Sequence, residues 1–270
     1  MQSVLFQDMG LVDYQTAWDY QTSVHRSLVD HKLSHKALPP GSYRQEHRLL
    51  FVEHPPVYTL GKSGSMDNLL LSEAELHDRG IQFFPINRGG DITFHGPGQI
   101  VGYPILDLDC FFNDVHKYVR NIEEVIIRTL ADYGLEAFRI KDYTGVWLKG
   151  GAGFPSTVYR PPSTVHRPPS AVHRPPSTVH RKICAIGVHL SRWVTLHGWA
   201  FNVNTPLEYF DYIVPCGISD EDKTVTSLQR ELGRPVDPEE VKEKLKRHFS
   251  AVFECEITES PAGADKMLKQ

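Results

Sequence analysis

A twelve-residue segment, Arg88 to Gln99, constrains this chain more than any other part of its sequence. It reads Arg-Gly-Gly-Asp-Ile-Thr-Phe-His-Gly-Pro-Gly-Gln, so four glycines surround a short core. Glycine lacks a Cβ, which lets the backbone adopt unusual dihedral angles and lie close to a ligand. The residues alone leave two interpretations open: the wall of a binding site, or two tight turns around one strand, Ile92 to Phe94.

Composition limits the classes of protein to which the chain can belong. With 270 residues, 40% of them hydrophobic, it can form one large domain or two small ones. The chain has a formal net charge of −4, whereas a typical nucleic-acid-binding protein has an excess of basic residues, so we expect no nucleic-acid partner. We see neither a signal peptide nor an apolar stretch near the roughly 18 residues of a membrane span. We therefore expect a cytoplasmic protein with no membrane partner.

Periodicity and capping signals predict alternating helices and strands. Ser72 and Glu75 form a capping-box pattern for a short helix that ends before Gly80. The other predicted helices are Asp13–Val29, Asp114–Tyr133, Leu207–Ile213, Val225–Leu232 and Pro238–Phe253. The predicted strands are His47–Glu53, Val57–Leu60, Gln82–Ile86, Ile100–Leu108, Ala137–Ile140, Gly145–Leu148, Ile183–Leu190 and Trp199–Val203.

A seven-residue repeat beginning Arg-Pro-Pro-Ser runs from Arg160 to Arg181. Its paired prolines exclude a continuous helix, so we predict a disordered or polyproline-like insertion at about residues 154–181. An SH3-type ligand, or a metal-binding arm formed by His166, His173 and His180, is a less favoured interpretation. We also predict a flexible tail over residues 259–270.

Cys216 lies between Pro215 and Gly217, a sequence that predicts a sharp turn presenting a thiol to a cleft. A thiolate is a strong nucleophile when its proton is removed or its charge is stabilised. The other cysteines are Cys110, Cys184 and Cys255, with no Cys-x-x-Cys pair, which favours a reducing compartment over a disulfide framework. Candidate partners of the thiol are His95, Lys182, His189 and His197, each of which could equally be an ordinary surface or core residue.

Five motifs in order give this chain a family resemblance. Besides Arg88 to Gln99, they are His54-Pro-Pro-Val-Tyr-Thr59, Lys182-Ile-Cys-Ala-Ile-Gly187, His197-Gly-Trp-Ala-Phe-Asn-Val-Asn204 and Pro215-Cys216-Gly217. The chain resembles the octanoyltransferases of lipoate synthesis, the lipoyl(octanoyl) transferases. The resemblance implies an α/β fold of the lipoate and biotin protein ligase type, with a mostly antiparallel sheet packed against helices in one catalytic domain, residues 1–258.

The resemblance also implies an activity and a set of site residues. Octanoyl would move from octanoyl-acyl carrier protein onto Cys216 as a thioester, and then onto a lysine of a lipoyl domain. The acceptors would be 2-oxoacid dehydrogenase complexes and the glycine cleavage H protein, and the reaction would need no ATP, cofactor or metal. Lys182 matches the lysine of the family's catalytic dyad. The substrate-binding positions carry over to Arg88, Gly89, Gly90, Asp91, Ile92, Thr93, Phe94, His95, Ala185, Ile186, Gly187, Gly198, Trp199 and Ala200.

Two other functions remain open. An ATP-dependent lipoate or biotin protein ligase would use the same fold, but such a ligase needs no nucleophilic cysteine. A non-catalytic protein that binds acyl carrier protein or lipoyl domains is the second alternative, because the insertion ends beside Lys182.

Overall fold

The computed structural model describes residues 1–39, 42–150, 179–217 and 222–260. Within them the strands are β1 (Gln2–Leu11), β2 (His47–Glu53), β3 (Val57–Leu60), β4 (Gln82–Pro85), β5 (Ile92–His95), β6 (Gln99–Ile105), β7 (Ala137–Ile140), β8 (Tyr143–Lys149), β9 (His180–Ser191), β10 (Val194–Asn202), β11 (Lys223–Val225) and β12 (Cys255–Glu259). The α-helices are α1 (Tyr14–Ser34), α2 (Glu73–Asp78), α3 (Val115–Ala131), α4 (Leu228–Leu232) and α5 (Pro238–Phe253).

A large and a small β-sheet organise these elements. The large sheet has the strand order β12-β1-β2-β6-β10-β9-β8-β7, and β11 pairs with β9. Its central pairs, from β2 to β7, are antiparallel, whereas β1 runs parallel to β2 and β12. The small sheet has the order β4-β3-β5.

Both faces of the large sheet are covered by helices. Successive side chains of a strand point to opposite faces, and β2 divides accordingly. Leu49 and Phe51 join the core that contains the apolar side of α3 and α5, while Leu50 and Val52 pack with α1. The small sheet has its own core, to which Phe94 and Ile213 contribute. This core lies under the segment that carries the glycine-rich motif.

Local signals placed most elements where the structure has them. The bounds of β2, β3, β7 and α5 agree with the prediction. The capping box is confirmed, because Ser72 N donates to Glu75 Oε2 at 2.8 Å and Glu75 N donates to Ser72 Oγ at 3.3 Å. Asp114 caps α3 by accepting a hydrogen bond from Lys117 N at 2.9 Å.

Two predicted helices differ in detail from those of the structure. The helix predicted over Leu207–Ile213 is present as a 3-10 helix over Leu207–Tyr212. Val225 belongs to β11, and α4 begins only at Leu228, after the cap that Ser227 provides. Parallel pairing with β9 keeps Lys223–Val225 in an extended conformation, and no local sequence pattern predicts that pairing.

The terminal strands β1 and β12 were missed. They pair with each other in parallel, with Gln2 opposite Cys255. Because most of the chain separates the two partners in sequence, no local pattern predicts this pairing. Glu259 is the last residue of β12 and its side chain accepts a hydrogen bond from Lys246 at 2.7 Å. Ser260 N also donates to Phe6 O at 2.9 Å, so residues 259 and 260 of the predicted tail are hydrogen-bonded to β1 or belong to β12, and residues 261–270 lie outside the described part.

The predicted end of the repeat insertion was also wrong. His180 and Arg181 belong to β9, where Arg181 pairs with Leu148 of β8. His180 is therefore a strand residue, while His166 and His173 fall within residues 151–178, which lie outside the described part. Among the described residues no group of three or more His, Cys, Asp or Glu side chains could hold a metal ion. No α-helix in the described ranges has the length and apolarity needed to cross a membrane.

Candidate active site

The glycine-rich segment forms two turns around β5, and the turns are fixed by neighbouring backbone. At the first turn, Lys62 N donates to Arg88 O at 3.0 Å and Gly89 N donates to Val188 O at 3.0 Å. At the second, Gly98 has a φ of +75°, and a Cβ there would lie 2.5 Å from the Asn204 carbonyl carbon. Only glycine fits this position without a shift.

A cavity of about 500 Å³ lies between this segment and the large sheet. Its floor includes the paired residues Gly187 and Gly198 on β9 and β10. The predicted positions that line it are Arg88, Gly90, Asp91, Thr93, His95, Lys182, Ala185, Ile186, Gly187, Gly198, Trp199 and Ala200. The segment therefore forms two turns around one strand and also part of the wall of a cavity; that the wall binds a substrate stays a prediction.

Three predicted positions do not line the cavity. Ile92 and Phe94 are fully buried in the core of the small sheet, since side chains alternate along β5 while Thr93 and His95 face the cavity. Gly89 instead bonds its backbone to β9. Trp199 borders the cavity, but its indole ring packs over Gly102 in the core. A Cβ at Gly102 would lie 2.1 Å from Trp199 Cε2.

The cavity also takes residues that sequence reasoning did not select. Tyr14 begins α1, far from the motifs in sequence, and Tyr103 lies on β6, four residues after the glycine-rich segment. The other lining residues that were not selected are Val101, Asp142, Tyr143 and Thr144. His197, a candidate partner of the thiol, and Gly217, from the motif around Cys216, also line the cavity. The chain separation of Tyr14 from the motifs leaves no local signal for its place in the cavity. Asp142 to Thr144, by contrast, lie in or next to the turn between two predicted strands.

Lys182 lies on β9 where that strand is paired on both sides. Trp147 of β8 is its cross-strand neighbour, and Val225 of β11 is its partner on the other side. The lysine Nζ lies 4.8 Å from the centroid of the Trp147 ring. Its backbone oxygen accepts a hydrogen bond from Thr226 N at 2.9 Å. The side chain is buried and borders the cavity.

The predicted turn around Cys216 is confirmed for its backbone, and the structure does not describe the Cys216 side chain. Pro215–Gly217 form a short 3-10 helix, in which Gly217 N donates to Val214 O at 3.0 Å. A Cβ at Gly217 would lie 2.6 Å from Asp91 Oδ2. Gly217 borders the cavity, so the turn and Lys182 lie on the same cavity.

The four candidate partners of the thiol differ in position and charge. His95 and His197 border the cavity, but His189 lies on a separate groove beside α1. Burial, followed by the charge of Arg88, lowers the pKa of His197 to about 3. Burial also holds the pKa of His95 well below its usual value. Both rings are therefore neutral near pH 7. Lys182 is the third of the four candidates on the cavity wall.

Comparisons with known proteins agree on one family. Residues 13–250 match the lipoyl protein ligase A/B catalytic domain. The octanoyltransferase of Flavobacterium johnsoniae is 50% identical over 259 residues, covering 94% of this chain and 98% of the relative. That of Cytophaga hutchinsonii is 49% identical over 261 residues, covering 94% of each. The chain belongs to the octanoyltransferases of this family.

Solved structures confirm the predicted fold. A lipoate-protein ligase A bound with ATP superposes with a TM-score of 0.60, at 16% identity, covering 99% of this chain and 92% of that one. A bi-partite lipoate protein ligase from Thermoplasma acidophilum gives a TM-score of 0.63 at 15% identity, covering 99% and 89%. The octanoyltransferase therefore has the ligase-like α/β fold in a single catalytic domain, with a mostly antiparallel sheet.

Proposed function

We propose that this protein transfers an octanoyl group from octanoyl-acyl carrier protein to a lysine side chain of lipoyl domains, through an acyl-thioester on Cys216. One observation carries the proposal: Lys182 and the turn that contains Cys216 border one cavity, on whose wall the neighbouring histidines are neutral. The cavity volume of about 500 Å³ falls within the usual range for small-molecule sites.

The first step exchanges one thioester for another. The Cys216 thiolate attacks the carbonyl carbon of the octanoyl thioester, a new C–S bond forms, and the carrier-protein thiolate leaves and takes up a proton. The ammonium group of Lys182 favours the thiolate by opposite charge. Backbone N–H groups of the glycine-rich wall are candidates to stabilise the oxyanion of the tetrahedral intermediate.

The second step forms the product amide. The amine of the acceptor lysine attacks the acyl-enzyme carbonyl, the C–S bond to Cys216 breaks, and the amine proton passes to the released thiolate. Lys182, which borders the same cavity, is our candidate to carry that proton when its amine is deprotonated. An amide is more stable than a thioester, so the step runs downhill and the overall reaction needs no ATP.

Acyl-adduct mass tests the proposal directly. Incubation with octanoyl-acyl carrier protein should add the mass of one octanoyl group to the protein, and a lipoyl domain added afterwards should remove it. Cys216→Ser should form no thioester, whereas Cys110→Ala should behave like the unaltered protein, because Cys110 lies outside the cavity. An adduct retained in full by Cys216→Ala would contradict the assignment.

The same experiment separates the two alternative functions. A ligase would need ATP and free octanoate, and would transfer nothing from the carrier protein alone. A non-catalytic partner would bind the carrier protein without gaining mass. The proposed acceptors are the lipoyl domains of 2-oxoacid dehydrogenase complexes and the glycine cleavage H protein, each of which can be offered in turn.

A further inference from the structure

Trp147 is a buried aromatic residue placed against the proposed catalytic lysine. It is 1% exposed and lies on β8, directly opposite Lys182 on β9. Trp147 is not among the residues that line the cavity, whereas Lys182 is. The indole therefore contacts the lysine without itself bordering the cavity.

The strand pairing brings the ring and the ammonium group together. Val146 pairs with Cys184, but the next residue, Trp147, pairs with Lys182. One extra residue of β9, Ile183, therefore lies between these pairs, which is a β-bulge. Bulges change the direction of a side chain and occur often beside active sites. Here the bulge places Lys182 Nζ 4.8 Å from the centroid of the indole.

The indole is itself held in place. Tyr143 meets it edge-on, with ring centroids 6.1 Å apart and planes at 80°. The Trp147 Nε1 atom is buried and has no hydrogen-bond partner among the described residues. A buried indole N–H usually finds a partner, so hydrogen bonding does not account for a tryptophan here. Two contacts that use the ring are the edge-on packing of Tyr143 and the contact with the ammonium group of Lys182, and of these only the second involves a charged group.

We infer that Trp147 is a positioning residue, which holds the Lys182 ammonium group over its indole face and thereby keeps the Cys216 thiol reactive. The inference rests on the proposed role of Lys182 and Cys216. The ring quadrupole attracts a cation over its face, and the attraction is stronger when both groups are removed from water. Without the ring, the ammonium group loses its fixed position, and its effect on the thiolate weakens.

The pH dependence of thiol alkylation tests this inference. Iodoacetamide labelling of Cys216, followed by peptide mass over a range of pH, gives the midpoint at which the thiol becomes reactive. Trp147→Leu should move that midpoint upward by roughly one pH unit. Trp147→Phe retains an aromatic face and should restore most of the difference. If Trp147→Leu does not fold, the alkylation midpoint of Trp147→Met is compared with that of Trp147→Phe instead.

Two further variants distinguish positioning from simple loss of packing. Phe249→Leu removes a buried ring from α5 and should lower the thermal midpoint without moving the alkylation midpoint. In Lys182→Ala, a second change of Trp147→Leu should produce no further shift, because the ring acts through the lysine. An additional shift in the double variant, or an unchanged midpoint in Trp147→Leu, would overturn the inference.

The outcomes also separate this inference from the function on which it rests. If Lys182→Ala moves the midpoint and Trp147→Leu does not, only the role of Trp147 fails. If Lys182→Ala leaves the midpoint unchanged, the proposed activation of Cys216 by Lys182 fails first. Octanoyl transfer measured in parallel with Cys216→Ser shows whether the covalent mechanism holds in either case.

Discussion

A buried ion pair lies on β9 beside Lys182, and removing one of its two members should be strongly destabilising. Arg181 precedes Lys182 on β9, and its side chain is 7% exposed, while that of its partner Glu231 is 5% exposed. Arg181 Nε and Nη2 both donate to Glu231, each at 2.8 Å. Nη2 also donates to Lys149 O at 3.0 Å, so the arginine joins β9, β8 and α4.

Removing the arginine should cost several kcal/mol, because it leaves a buried carboxylate without its charge partner. Loss of one member of a buried pair typically costs about 3–5 kcal/mol. At about 2–4 °C for each kcal/mol in a domain of 150–250 residues, Arg181→Met should lower the thermal midpoint by roughly 6–20 °C. Thr226 Oγ1 also donates to Glu231 at 2.6 Å, which offsets part of the loss.

A double-mutant cycle measures this contribution. The free energy of unfolding in urea is compared for the unaltered protein, Arg181→Met, Glu231→Leu and the double variant. The double variant should be less destabilised than the sum of the single variants, because no unpaired charge remains in it. A cost below about 1 kcal/mol for Arg181→Met, typical of an exposed pair, would refute the reasoning, as would strict additivity.

Four other predictions concern the site and the chain as a whole. Lys182→Ala should slow thiol alkylation near pH 7 and move its midpoint toward about 8.5, the value of a free cysteine; an unchanged profile would remove the lysine from this role. Lys62 is exposed beside the glycine-rich turn, so Lys62→Glu should raise the KM for the acidic carrier protein at low salt, with a smaller difference at high salt. Gly150 N donates to Val179 O at 2.6 Å, so replacing residues 155–178 by a short Gly-Ser turn should keep the fold and leave the transfer rate within about threefold; a large loss of rate at unchanged stability would show that the segment contacts substrate or partner. Burial lowers the pKa of His47 and His54 to about 4, so the unfolded state binds more protons between that value and about 6.5, and the free energy of unfolding should fall as pH drops from 6.5 to 4; equal values at pH 7 and pH 5 would contradict this.

Elements whose determinants lie within a few residues were predictable from the sequence. Asp114 accepts from the backbone three residues ahead, and the Ser72–Glu75 box closes over the same distance. The apolar side of α5 repeats at helical spacing and meets the sheet as expected. In each case the sequence contains both partners of the interaction within one or two turns of helix.

Elements that depend on distant partners were not predictable. The strand β12 is short and is stabilised by β1, which begins at the other end of the chain. Tyr14 reaches the cavity because α1 packs across β6 and β10, a contact that no pattern near Tyr14 encodes. The family motifs predicted the parts of the cavity wall that contain the glycines. The parts formed by other helix and strand residues could be identified only from the three-dimensional structure.

The floor of the cavity shows how the glycine-rich segment can form turns around a strand and a cavity wall at the same time. Gly187 and Gly198 face each other across β9 and β10, and a Cβ on Gly187 would lie 2.9 Å from Arg88 Cδ. The missing side chain lets Arg88 lie on the sheet, and from there Nη2 donates to Thr59 O at 2.7 Å and to Thr59 Oγ1 at 3.0 Å. Arg88 therefore joins the small sheet to the large one and also borders the cavity. The hydrogen bonds that hold the glycine-rich segment in place also shape the cavity wall. The same glycines are therefore needed for the turns of the fold and for the wall of the cavity, and their presence in the sequence cannot distinguish the two roles.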